Sequence, residues 1–161
     1  VAKAPREQVF AALYQLLLTG DYPFEIVNEG QGRLMRQWDQ FPSANQPALY
    51  LQEGPQKAEQ NTPGGALGLN RWLYTAKAWF LFRRDASVLP ATVYNQILDA
   101  VDAVIVPPAL PGQKQILAAQ NGGRPLVTNV RVTEAMWDEG TLDPVVGQVI
   151  VMVGLEILTS N

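Results

Sequence analysis

With 161 residues, 47% of them hydrophobic and 17% charged, the chain is long enough to bury one core and too short for two independent ones. It has no His and no Cys, which excludes the usual general base, the thiol nucleophile, disulfides and the two commonest transition-metal ligands. A formal charge of -3 argues against a surface built to grip nucleic acid, which would gather a basic excess on one face.

The first residues, Val1 to Arg6, lead directly into a helix and lack the apolar core and cleavage site of a secretory signal. From Pro5 to Thr19, Val9, Phe10, Leu13, Leu16 and Leu17 recur at helical spacing, with proline tolerated in the first turn and Thr19-Gly20 closing the run. Phe24 to Val27 reads as a short strand, Asn28-Glu29-Gly30 as a turn, Leu34 to Trp38 as extended chain, and Ala48 to Gln52 as a better strand opened by Pro47. Glu53 to Asn70 scatters Gly54, Pro55, Pro63, Gly64, Gly65 and Gly68 among polar residues, the composition of a long mobile hairpin tip.

Arg71 to Arg83 is the longest predicted strand. Trp72, Tyr74, Ala76, Ala78, Phe80 and Phe82 form its core side, the two alanines leaving room for a helix, and Leu73, Thr75, Lys77, Trp79, Leu81 and Arg83 form the other. Pro90 opens a second helix with Val93, Ile97, Val101 and Val104 inward and Asn95, Asp99 and Asp102 outward, stopped by Pro107-Pro108. Leu126, Thr128, Val130 and Val132 alternate as a strand, and Asp138-Glu139-Gly140 makes a return. The closing strand, Val145 to Leu158, sets Val149, Val151, Val153, Leu155 and Ile157 against Gln148, Ile150, Met152, Gly154 and Glu156. Gln148 and Glu156 interrupt this longest apolar stretch, so no membrane span is predicted.

These elements predict an α+β, two-layer sandwich: a mainly antiparallel sheet of about five strands, two helices on one face, and a long hairpin. The uncovered face carries Leu73, Trp79, Leu81, Ile150 and Met152 beside Lys77, Arg83 and Glu156. That mixture fits an intersubunit surface; the other reading is a loop, Leu110 to Gly123, folded back over it.

No motif carries chemistry. Gly30-Gln31-Gly32 lacks the third glycine of a dinucleotide fingerprint, and Pro63 to Gly68 lacks the Lys-Ser/Thr ending of a phosphate loop. Asp138, Glu139 and Asp143 lack calcium-loop spacing, and Asp99 and Asp102 lie on a solvated helix face. Ser43, Ser87 and Ser160 sit in no nucleophile motif. Trp38, Trp72, Trp79 and Trp137 fit a core position and contact surfaces better than a ligand cage, although an apolar pocket around Trp79 and Trp137 is the competing reading.

The order of helix, strands with a long polar hairpin, aromatic strand Arg71-Trp72-Leu73-Tyr74-Thr75-Ala76-Lys77-Ala78-Trp79-Phe80, helix Asn95 to Asp102, and closing pair around Asp138-Glu139-Gly140 resembles the tail terminator, or tail-completion, proteins of tailed bacteriophages. The likeness covers nearly the whole chain through hydrophobic order and not through an invariant signature. It implies a structural virion protein, made in the host cytoplasm and placed at the head-proximal end of the tail. There a homo-oligomeric ring, hexameric in the family, would cap the tail tube, end its polymerisation and meet the head connector. It implies no enzyme activity, cofactor, metal or membrane, and DNA passing through the lumen without specific binding. The mixed face, Leu73, Lys77, Trp79, Leu81, Arg83, Ile150, Met152 and Glu156, would be the subunit contact. The hairpin, with Glu53, Lys57, Glu59, Gln60, Asn61 and Asn70, would reach the tail tube or lumen. A neck or head-tail connector ring of the same viruses shares this small α+β plan and is the alternative station.

Overall fold

The computed structural model describes residues 5–27, 32–33, 47–59, 71–83, 87–105, 120–121, 124–125, 127–140 and 148–159. Helix α1 runs Pro5–Leu18 and buries the predicted stripe, Val9, Phe10, Leu13, Leu16 and Leu17, together with Tyr14. Its end is closed by Thr19, whose amide and hydroxyl both donate to the Leu16 carbonyl, at 3.0 and 2.6 Å. The Leu17 carbonyl, another acceptor at the helix end, takes the Gly20 amide at 3.2 Å and the Tyr22 hydroxyl.

The main sheet has four antiparallel strands in the order β1-β2-β6-β5: β1 Ala48–Glu59, β2 Arg71–Arg83, β6 Gln148–Thr159 and β5 Val127–Gly140. The expectation was about five. A separate two-stranded ribbon, β3 Gln120–Asn121 with β4 Arg124–Pro125, stands outside it. Helix α2, Pro90–Ile105, buries Ile97, Val101 and Val104 and exposes Asn95, Asp99 and Asp102 as its stripe requires. Helix α1 packs on α2 and β1, and α2 on β5 and β6. The core between the layers takes Leu49 and Leu51 from β1, Tyr74, Ala76, Ala78, Phe80 and Phe82 from β2, and Val149 through Ile157 on alternate positions of β6. Burial of this apolar surface is the main stabilising term.

Three expectations are corrected. Phe24 to Val27 is not a strand. Its backbone joins the body through the Val27 amide and the Pro47 carbonyl at 3.0 Å, while the ring of Phe24 lies 5.1 Å from that of Phe82. Asp138-Glu139-Gly140 is the last part of β5 and not a return, paired with Ile150, Val149 and Gln148. The segment Glu53 to Glu59 is not loop: it continues β1, with Gln56, Lys57, Ala58 and Glu59 opposite Tyr74, Leu73, Trp72 and Arg71.

Gly54-Pro55 is tolerated in β1 because it lies where the register shifts between Glu53 and Gln56, on an edge strand. A bulge at an edge needs no ladder donor from proline. The Thr75 hydroxyl donates to the Pro55 carbonyl at 2.7 Å, and a Cβ on residue 54 would come within 2.5 Å of that hydroxyl oxygen. Leu34 to Trp38, Gln60 to Asn70, and most of the connection from Pro107 to Gly123 lie outside the described residues.

Candidate functional site

Cross-strand register sets the second sheet face as a grid. Ala48, Leu81, Ile150 and Asp138 form one row; Tyr50, Trp79, Met152 and Met136 the next; Gln52, Lys77, Gly154 and Glu134 a third. Thr75, Glu156 and Arg131 follow, then Leu73 beside Lys57 and Leu158. The eight residues expected at a subunit contact therefore do share one face of β2 and β6.

Their exposure divides them. Leu81 (0%) and Met152 (4%) are already buried within the single chain, as are Ala48 and Tyr50 beside them. Leu73, Trp79, Ile150 and Glu156 are half-buried, while Lys77 and Arg83 are exposed. A partner meeting this face would touch mainly its charged rim, because side chains already out of water add little new area to a contact. Glu156 is also engaged at home: Arg131, directly opposite on β5, donates to it through Nε at 2.8 Å and through Nη2. The Trp79 indole donates to Gln52 at 3.0 Å. The register of β5 is shifted between Val132 and Glu134, so this pairing was not readable from parity.

Beyond the bulge, β1 and β2 continue as a paired arm whose root is tied to the start of α1. The Arg6 guanidinium stands 4.2 Å from the Trp72 ring centre and donates to Gln56 at 3.0 Å. Arg33 donates to both Glu7 on α1 and Glu53 on β1. The Glu7 bond above all, with Glu53 adding to it, raises the Arg33 pKa further, so its charge is firmly held. Of the residues expected to contact a tail tube, Glu53 is thus engaged at the root, Lys57 is exposed on the second face and Glu59 lies opposite Arg71. Gln60, Asn61 and Asn70 lie outside the described residues.

A feature the sequence reading missed is a cleft of about 410 Å³ at the opposite end of the sheet from the arm. Phe24, Pro47, Phe82, Val88, Val93 and Val149 give it apolar walls, with Arg83, Thr92 and Gln96 also lining it. It joins four separate parts of the chain, around Phe24, Pro47, Phe82 to Gln96 and Val149, which no local pattern announces. Trp79 and Trp137, the suggested pocket pair, stand on opposite faces of the sheet, since Trp79 pairs with Met152 and Trp137 with the neighbouring Val151. They do not line one pocket.

Trp137 is 38% exposed and Met136 54%, both on the outer strand β5, and the Trp137 ring lies 6.5 Å from that of Tyr94. No described helix is long and apolar enough to cross a membrane. No protein-family model matches this chain, and no curated protein matches it.

Proposed function

We propose that the protein is a structural component of a phage tail that assembles as a ring, caps the head-proximal end of the tail tube and hands it on to the head connector. The observation that supports this reading most is the braced arm. Pairing of β1 with β2 continues past the bulge to Glu59 and Arg71, two pairs beyond the last β6 partner of β2, and this end is tied to α1 through Arg6 on Trp72 and Arg33 on Glu7 and Glu53. Such an arm suits a scaffold that must reach a second protein while its own core stays closed. The charged rim of the second sheet face, Lys77 and Arg83, adds a surface for neighbouring subunits.

Light scattering over a range of concentration and salt, then electron microscopy, tests assembly; a closed cyclic species is the expected form. Replacing residues 60–70 by Asn-Gly, which keeps the Glu59 and Arg71 pair, should leave folding intact and abolish capping of tail tubes grown from purified tube protein. Tubes still capped at normal length would remove the arm from the mechanism. A ring that binds connector protein but never tube ends would move the assignment to the neck.

The cleft supports a second reading, a domain that binds a small apolar ligand, because its volume lies within the range of ligand pockets, about 300–1,000 Å³. A strict monomer that takes up a hydrophobic fluorescent probe, lost in Val93→Trp, would favour it over the ring.

A further inference from the structure

The ring reading leaves open which surfaces meet, and the structure offers a complementary pair on the two flanks of α2. On one flank, the outer strand β5 presents Trp137 on the helix-bearing face, with Asp138 exposed on the second face next to it. On the other flank lies the cleft between the segment after α1 and the first turns of α2. Its walls come from the helix-bearing face, Phe82 and Val149, and the exposed Arg83 at its lip belongs to the second face.

We propose that Trp137 of one subunit seats in this cleft of the next, with Asp138 meeting Arg83, so that the contact repeats head to tail around a ring. The proposal rests on the ring reading above. Three features carry it.

The faces agree: an apolar side chain of the helix-bearing face meets an apolar cleft of that face, and a carboxylate of the second face meets a guanidinium of that same face. Subunits standing side by side around an axis keep their faces aligned. The levels agree as well. Asp138 lies in the row of Ile150 and Leu81, and Arg83 opposes Gln148, two residues from Ile150 along β6. A neighbour related by rotation about a single axis brings those levels within about 7 Å, two residues of strand rise and a gap that the long Arg83 side chain can span, and rotation without translation is the condition for closure instead of a filament.

Size and charge agree too. A cleft of about 410 Å³ has room for one indole, and Val88, 38% exposed, adds to its apolar wall. Arg83 has no ion pair among the described residues. Partly exposed tryptophans that fill an apolar pocket are frequent anchors of protein contacts.

The test measures the mass of the full-length chain by light scattering for wild type, Trp137→Ala, Arg83→Glu, Asp138→Arg and the charge swap Arg83→Glu/Asp138→Arg. Wild type should assemble and Trp137→Ala should weaken assembly by roughly thirtyfold, the scale of a buried aromatic anchor. Each single charge reversal should weaken it, and the swap should recover most of the loss. Should Trp137→Ala unfold, as circular dichroism would show, the charge swap at two exposed positions still decides. A ring that persists in Trp137→Ala, or a swap no better than its single variants, overturns this contact and leaves the ring reading standing. A wild type that stays monomeric even on tail-tube ends overturns both.

Discussion

Leu81 separates a face that is closed in the single chain from one that waits for a partner. It is 0% exposed, on the sheet face away from the helices, with Ala48, Tyr50, Trp79 and Ile150 around it. Leu81→Ala removes the equivalent of three methylene groups, about 2.4 kcal/mol at about 0.8 each. Incomplete collapse of the space left behind adds to this, so the whole cost lies within the usual range of about 2–5 kcal/mol. For a domain of this size, about 3 kcal/mol lowers the melting temperature by roughly 6–12 °C and takes a large share of a total stability near 5–15 kcal/mol. The assay is urea unfolding at a concentration where light scattering shows monomer, with Lys77→Ala as the exposed control. The midpoint of Leu81→Ala should fall by about 1–2 M with the slope unchanged, and that of the control should hardly move. A Leu81→Ala monomer as stable as wild type, combined with lost assembly, would refute the reasoning and return Leu81 to an open interface.

Gly32→Ala should destabilise by about 1–3 kcal/mol in the same assay. A Cβ there would lie 1.8 Å from the Tyr14 hydroxyl oxygen, and both partners are pinned: the Gly32 carbonyl by the Leu51 amide at 2.7 Å, and the Tyr14 hydroxyl by the Leu49 carbonyl at 3.2 Å. Burial raises the Tyr22 pKa above its ordinary value of 10.0. Its contribution is therefore complete below that value and lost as pH climbs past it, because the unfolded phenol ionises first, at about 1.4 kcal/mol per pH unit. Tyr22→Phe, lacking the hydrogen bond to Leu17, should be about 1 kcal/mol less stable at pH 8, with the gap closing between about pH 10 and 12; a constant gap would count against the buried phenol. Arg6→Ala should cost about 0.5–1 kcal/mol for the contact over Trp72, and an unchanged Trp72 emission in a variant retaining only that tryptophan would argue that no such contact exists in solution.

What the sequence disclosed follows from where periodicity has a physical cause. The stripes of α1 and α2 and the alternation of β2 and β6 were readable because one face of each is driven out of water, and every residue assigned inward on α1 is buried. The distal part of β1 and the last part of β5 were not. Gly54-Pro55, Lys57 and Glu59 in the one, and Asp138-Glu139-Gly140 in the other, have the composition of turns, and they are held by main-chain pairing to a central neighbour. Backbone hydrogen bonds leave little trace in side-chain identity. Parity placed Leu81 and Met152 correctly on the second face, but parity states which face a residue takes and not whether that face is covered. The Arg131–Glu156 pair, the cleft and the Arg33 bridge each join segments far apart in the chain, and a local pattern holds no information about such meetings.

The arm shows how helix and sheet divide the work. Past the bulge at Gly54-Pro55, β2 still pairs with β6 through Tyr74–Ile157 and Leu73–Leu158, and only the last two pairs, Trp72–Ala58 and Arg71–Glu59, stand without a third strand; a two-stranded end of that kind is marginal in water by itself. Trp72 and Tyr74 still point to the helix side, and Arg6 answers both, 4.2 and 5.7 Å from their ring centres, while Tyr74 stacks on Phe10 at 5.6 Å. Arg33 joins Glu7 to Glu53 across the same junction. The first turns of α1 therefore extend the core's support by several residue pairs beyond the place where β1 loses its apolar inward residues. Load on the arm reaches the body through Arg6, Phe10 and Arg33 as well as through the unbroken β2–β6 ladder. A docking signal from the tip has two routes, the unbroken β2–β6 ladder and the first turns of α1, while the bulge interrupts the β1 ladder.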